Sequence, residues 1–368
     1  MLPALFSAKY GVRKHMLFAV VAGLVIVFAF LVLPFPIAKK SSKLTLASTA
    51  WNETLGFGKI LYISMPYRTD RQDAMDLLAS TSNLKVTRIN GVDGESISAK
   101  AVPDNANLQP SVLGCWRAHA DAWRYVIDND IETALILEDD IDWDENIHQI
   151  FHDLSLQMQD NKLRLVMPTD HERKTAPYGL DWDILFMGQC LDHPHPDYRD
   201  LVQVYDDPSV PSRESIQQEF LHYMESLGVT GDDVGKKRLV SPAYGPACTM
   251  GYAITRQGAQ RLLLNLSYLG LRGPVDNDIA WTLQDGKIRG YSLTPPVFAA
   301  WRVGGQKDSD IDGKYDPNKP ISENGNRGGE SKNLKSSARV AMLQHLALDN
   351  WGDYKRQRLE ASNNADDD

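Results

Sequence analysis

The apolar run Ala134-Leu135-Ile136-Leu137 stops abruptly at Glu138, Asp139 and Asp140. Three adjacent carboxylates repel one another, and a hard divalent cation relieves that repulsion while keeping coordination positions for phosphate oxygens. A metal-bound diphosphate is the ligand this tripeptide suits, with Glu138 and Asp140 on the metal and Glu138 and Asp139 toward the cofactor. The bland alternative is a solvated acidic turn. A run so short and without alternation reads as a strand buried on both faces, as inside a parallel sheet. Ligands of open α/β sheets sit beyond the carboxyl ends of strands, so the acids would stand at the mouth of a pocket.

The elements around that strand bring further candidates. Residues 60–65 read as a first buried strand, stopped by Pro66 and followed by a polar loop that opens a helix. Arg68 and Arg71 there can pair with phosphate and Asp70 can accept from ribose or base; otherwise Asp70 is a helix N-cap and the arginines are surface charges. A second strand, 86–90, runs into Gly91-Val92-Asp93-Gly94, where the glycines mark a tight turn or a close backbone approach. Asp93 is either a nucleoside contact or a turn residue. Leu113, Trp116, Ala120, Trp123 and Ile127 recur at helical spacing over 111–127, with Ser111 as a candidate cap. His119 on that helix reaches the pocket or is a hydrogen-bonded packing residue. Strands at 184–187 and 249–254, a helix at 256–266 and a last helix at 338–348 follow. Residues 191–237, including His193-Pro194-His195-Pro196, suit a substrate-facing insertion better than a metal site.

Composition limits the classes of function. The chain has 368 residues, 43% hydrophobic and 24% charged, with a formal net charge of −9. That balance, without a basic stripe, argues against nucleic acid as a partner. Cys115, Cys190 and Cys248 lack metal-ligand spacing, and three buried thiols are expected ahead of one disulfide. Residues 16–33 are uninterruptedly apolar with basic flanks, long enough to span a bilayer as an uncleaved signal anchor. Asn52-Glu53-Thr54 and Asn265-Leu266-Ser267 are glycosylation sequons, usable only if the C-terminal side is lumenal. The expected order is a cytoplasmic tail at 1–15, the transmembrane anchor at 16–33, a stem at 34–57, a globular unit at 58–311 and a flexible region at 312–368. This describes a single-pass type II protein of the Golgi or endoplasmic reticulum membrane.

The succession ILYISMPYRTDR, RINGVDG, LGCWRAHADAW, ALILEDDID, DWDILFMG, TMGYAITRQGAQRLL and PVDNDIA resembles glycosyltransferase family 25, the lipooligosaccharide biosynthesis and procollagen galactosyltransferase group. The order of seven motifs carries the likeness, over roughly residues 59–311. The resemblance implies an α/β fold of the GT-A type, a Rossmann-like mixed sheet flanked by helices. It implies a nucleotide-sugar donor of the UDP-hexose kind, a divalent metal such as Mn2+, a glycan or glycoprotein acceptor, and inversion at the anomeric carbon. Ala118-His119 departs from the family's usual Ser-His. Such a reaction needs a carboxylate that takes the acceptor's proton, and Asp276 or Asp278, where a loop enters a helix, are the candidates. An N-cap and a first-turn acid would explain both without chemistry. Asp183 is expected on the acceptor side, with Trp182 stacked on a sugar or in the core. The competing reading is a catalytically inactive glycan-binding or chaperone-like protein of the same fold.

Overall fold

The structure is a computed structural model that describes residues 48–104, 106–159, 162–164, 166–302, 308–311 and 331–347. Ten strands occur among them: β1 (Lys59–Ser64), β2 (Val86–Asn90), β3 (Thr133–Glu138), β4 (Ile141–Trp143), β5 (Ile184–Gly188), β6 (Gln203–Asp206), β7 (Lys237–Pro242), β8 (Gly251–Thr255), β9 (Gly290–Thr294) and β10 (Phe298–Ala300). Eight form one mixed sheet in the order β2-β1-β3-β8-β5-β9-β7-β6, and β10 pairs with β4 in a separate ribbon. The principal helices are α1 (Thr69–Thr81), α2 (Pro110–Asp128), α3 (Ile147–Met158), α4 (Gln218–Ser226), α5 (Arg256–Leu263), α6 (Val275–Gln284) and α7 (Ala338–Leu346).

β3 sits centrally and is buried along its apolar run. Leu135 and Leu137 point into a core with Ile60, Phe151 and Phe298, whereas Ala134 and Ile136 point into another with Trp116 and Trp123. Both faces are covered, so the period-two pattern is lost. The strand pattern alone reads as the inside of a parallel sheet, but β3 is parallel to β1 and antiparallel to β8, so the sheet is mixed, as the family resemblance implied. β1, β2 and β3 run the same way, so the loops after all three open on one edge.

Helix α2 opens with Pro110 at its first turn and Gln109 as N-cap, rather than with Ser111. Its start lies tight on the loop after β2. A Cβ on Gly94 would stand 1.6 Å from the Pro110 carbonyl oxygen, and one on Gly114 would stand 2.3 Å from that of Val92. The close backbone approach anticipated for this glycine-rich loop is therefore what the structure holds. The helix expected over 256–266 ends earlier, at Leu263, and passes into a π-helical turn, Leu264–Tyr268. In that turn the Asn265 amide donates to the Arg261 carbonyl at 2.8 Å.

Two regions carry more structure than their composition suggests. Within 191–237 lie β6 and α4, and Val210, Ile216, Phe220 and Met224 build a small core of their own at the sheet edge. Residues 331–347, expected to be flexible apart from a last helix at 338–348, dock on β4: Ser336 N donates to Asp144 Oδ2 at 2.9 Å and α7 packs against α1. The unit that began near residue 58 thus extends past 311. The apolar run at 16–33, together with the tail at 1–15 and most of the stem at 34–57, lies outside the described residues. Among those described, no helix is long and apolar enough to cross a membrane.

Candidate active site

A cleft of about 690 Å3 opens where β1, β2 and β3 end. Its floor is the acid turn, one wall is the loop Gly91–Glu95, another is the α2 face that presents Gly114, Cys115, Ala118 and His119, and Ser309–Ile311 crosses its rim. The strand directions bring these segments together, as expected for a sheet whose ligands gather past its carboxyl ends.

Glu138, Asp139 and Asp140 all line the cleft. Glu138 Oε1 accepts the Thr249 hydroxyl at 2.6 Å and lies 3.8 Å from His119 Nε2. Burial pushes the Glu138 carboxyl up, but His119, Thr249 and the Arg302 charge together hold it below the usual carboxylate range. Asp139 Oδ1 accepts from Arg71 at 2.7 Å; burial outweighs that cation and leaves its carboxyl raised. Asp140 Oδ2 accepts from Arg302 Nε at 2.8 Å and lies 3.5 Å from Arg71. Two guanidinium groups therefore face the three acids.

A divalent cation fits this donor set in one way. Among the described residues no three His, Cys, Asp or Glu side chains converge to hold an ion by themselves. Glu138 is engaged through Oε1 and Asp140 through Oδ2. The second oxygen of each remains for a cation, and two carboxylates completed by phosphate oxygens are a common set for a hard ion.

His119 proves to be both of the things read from sequence. Its ring is 1% exposed, lines the cleft, and places Nδ1 3.0 Å from the Tyr252 hydroxyl. The Trp123 indole, which can only donate, gives its hydrogen to that hydroxyl at 2.8 Å. The hydroxyl hydrogen is then available to Nδ1 of a neutral ring, which turns Nε2–H toward Glu138. Asp93 lines the cleft and accepts from Glu95 N at 3.0 Å, so it caps a turn at the wall.

Arg68 and Asp70 are placed otherwise than expected. They grip each other through two hydrogen bonds of 3.0 and 2.8 Å, and neither lines the cleft. The hydrogen bond that Arg68 donates to Asp70 helps raise the Arg68 pKa further, and Arg68 in turn holds the Asp70 carboxyl low. Arg68 also binds Asp310 at 2.8 Å; together with Tyr67, Arg71 and Ser111 it pins the segment at 308–311. Of the two arginines, Arg71 alone reaches the acids.

The three candidate bases separate clearly. Asp183 lies at the amino end of β5, the edge opposite the acid turn, because β5 and β3 both run antiparallel to β8. It is almost fully buried, takes two hydrogen bonds from Arg261 at 2.8 and 2.7 Å and one from Arg289 N, and is structural. Neighbouring Trp182 is core, with its indole donating to the Tyr178 carbonyl. Asp278 is also structural: it is 1% exposed and paired with Arg272 through both side chain and backbone. Asp276 differs. Its two oxygens accept backbone N–H groups, from Cys248 at 3.0 Å and from Asn277 at 2.9 Å. Cys115, on the cleft wall, has its thiol pushed up by burial and then by the charges of Glu138, Asp276 and Asp140, although Asp276 itself does not line the cleft.

Cys248 adopts φ of +66°, and it forms a disulfide with Cys190, against the expectation of three free thiols. Sequence spacing hid the pair because 58 residues separate its members. The bridge fixes the backbone amide that holds Asp276 and lies next to Thr249, the Glu138 partner. Replacing both cysteines by alanine is expected to cost about 2–4 kcal/mol of stability, read as a lower midpoint in chemical denaturation. An unchanged midpoint would show that the bridge constrains nothing.

Arg302 and Thr249 were not singled out as site residues from sequence. Arg302 carried a usable signal, since it follows a short apolar run, Phe298–Ala300, as the acids follow β3. Thr249 had none, because only pairing of β8 beside β3 brings it to Glu138.

The fold and cleft define an α/β protein whose site lies beyond three parallel strand ends, with acids and guanidiniums facing each other across it. Residues 57–176 match the family model for glycosyltransferase family 25 (LPS biosynthesis protein). Relatives include procollagen galactosyltransferase 2 of Mus musculus, 23% identical over 226 residues (57% of this chain, 28% of the relative), and that of Homo sapiens, 23% identical over 239 residues (61% and 30%). The human inactive glycosyltransferase 25 family member 3 is 22% identical over 151 residues, 37% of this chain and 22% of that protein. The family-model match covers about a third of this chain. The chain spans less than a third of the length of these two procollagen galactosyltransferases.

Proposed function

We propose that this chain is a glycosyltransferase of the GT-A type that moves a hexose from a uridine diphosphate donor to a glycan or glycoprotein acceptor, with inversion. The observation that carries the reading is the pairing of Glu138, Asp139 and Asp140 with Arg71 and Arg302 on the floor of the 690 Å3 cleft. Opposite charges so arranged suit a diphosphate and a cation that arrive together.

The nucleoside would lie against Gly91–Glu95 and the α2 face, where the absence of side chains at Gly94 and Gly114 keeps the wall close. Arg71 and Arg302 would meet the phosphates, shifting from Asp139 and Asp140 as the donor enters. His119 holds Glu138 in its ionised form through the Tyr252–Trp123 chain behind it. A divalent cation such as manganese, held by Glu138 and Asp140, would neutralise charge on the departing diphosphate. Asp276 would take the proton of the acceptor hydroxyl. Its suitability rests on its partners: Asp139 and Asp140 face guanidiniums, and Glu138 is held too acidic to be an effective base.

The disulfide and the apolar run at 16–33 support a secretory-pathway lumen as the working compartment, with residues 1–15 cytoplasmic. The name of the inactive human relative favours one second reading, a non-catalytic protein of the same fold. The full chain incubated with UDP-galactose, UDP-glucose and other sugar nucleotides, with and without manganese, separates the two. Release of UDP that depends on manganese is expected; no donor turned over, with or without acceptor glycoprotein, would refute the enzyme.

A further inference from the structure

The acid turn is gripped from behind by a residue 200 positions further along the chain. Asp142, fully buried, collects the docked segment: its Oδ2 accepts the hydroxyls of Ser331, at 3.0 Å, and Ser337, and its Oδ1 accepts Arg339 N at 3.0 Å. The Arg339 side chain then reaches the turn itself from a position only 6% exposed. Nε donates to the Ile141 carbonyl at 2.7 Å and Nη2 to the Asp139 carbonyl at 3.4 Å, with the guanidinium 5.7 Å from the Trp301 ring centre. The carbonyl between them, that of Asp140, accepts Trp301 N at 2.7 Å. Three successive carbonyls are thus fixed, while the Asp139 and Asp140 side chains meet Arg71 and Arg302.

Burying a guanidinium against carbonyls is costly, and burial does lower the Arg339 pKa against the pull of Asp142, Asp140 and Asp139. An apolar side chain of similar volume would fill the space without that cost. Fixing a ligand-bearing turn to a fraction of an ångström, by contrast, needs directed donors on its backbone. We infer that Arg339 is a positioning residue, which sets the Asp139–Asp140 turn so that the acids and Arg71 present a formed diphosphate site. The inference rests on the donor-binding reading above and adds to it a residue from the C-terminal segment.

The test is titration of the full chain with UDP in the presence of manganese, and separately with uridine. A wild-type chain that binds no UDP would refute the donor-binding reading itself. If it binds, Arg339→Met is expected to weaken UDP about five-fold or more and uridine by less than about two-fold, because the turn serves the diphosphate and the Gly91–Glu95 wall serves the nucleoside. A general packing defect would weaken both ligands alike. A smaller UDP loss, or equal losses for both, overturns the inference. Should the methionine variant fail to fold, Arg339→Lys decides: it keeps the charge, but one ammonium cannot bridge carbonyls two residues apart as the guanidinium fork does. A loss of about three-fold or more confined to UDP is then expected, and wild-type UDP affinity in that variant overturns the proposal.

Discussion

Asp140→Asn is expected to lower kcat/KM for the sugar-nucleotide donor about 10³-fold, or about 4 kcal/mol of transition-state stabilisation. Asparagine keeps the volume and an oxygen for Arg302 Nε, which sits 2.8 Å from Asp140 Oδ2. What it removes is the negative charge that Arg302 and the proposed cation would both answer to. The loss should therefore come with a raised manganese requirement and weaker UDP binding, while the melting temperature moves little. Alanine would be a poorer probe, because it leaves a void beside Arg302 and Arg71 and adds a folding defect. Steady-state kinetics over a manganese series, with thermal melts alongside, provide the check. Wild-type kcat/KM in a folded Asp140→Asn chain would remove the acid turn from the chemistry.

The acid turn could be located from sequence because burial and charge change at a single residue boundary. Apolar residues up to Leu137 must be covered on both faces, whereas three consecutive charges need water, a counter-ion or a ligand, so a strand end at a cleft follows from solvation alone. The same logic located the strands at 60–65 and 86–90 and their loops. Parallel pairing did not follow, because a doubly covered strand has one pattern whether its neighbour runs with it or against it; β8 runs against it. Charge pairing was the other illegible part. Arg68 and Arg71 are near neighbours in sequence, yet one grips Asp70 and Asp310 and the other grips Asp139. Those partners are fixed by how the segment at 308–311 crosses the rim, which no local pattern encodes. Asp183 and Asp278 misled for a related reason: an aspartate beside a strand or helix start looks the same whether it meets substrate or an arginine brought by the fold.

The VDND motif offers a sharper test, since its two aspartates are chemically alike and structurally opposite. Asp276→Asn is expected to reduce kcat by about 10²- to 10⁴-fold with the donor KM little changed, the range for loss of a general base. Asp278→Asn should do the reverse, losing stability while each folded molecule keeps its turnover. The contrast follows from their partners. Asp278 neutralises Arg272 from a buried position, so its charge serves the fold. Asp276 is bound by two backbone amides and, among the described residues, is paired with no cation. Asparagine at 276 must turn its amide nitrogen toward either the Cys248 or the Asn277 N–H, which forfeits one hydrogen bond at about 1 kcal/mol. That cost is too small to unfold the chain and far too small to account for the expected loss of turnover. Rates must therefore be normalised to folded protein, and the two variants compared at equal folded fraction. Equal turnover in both would return Asp276 to the role of a helix-start acid and leave the acceptor's proton to another group.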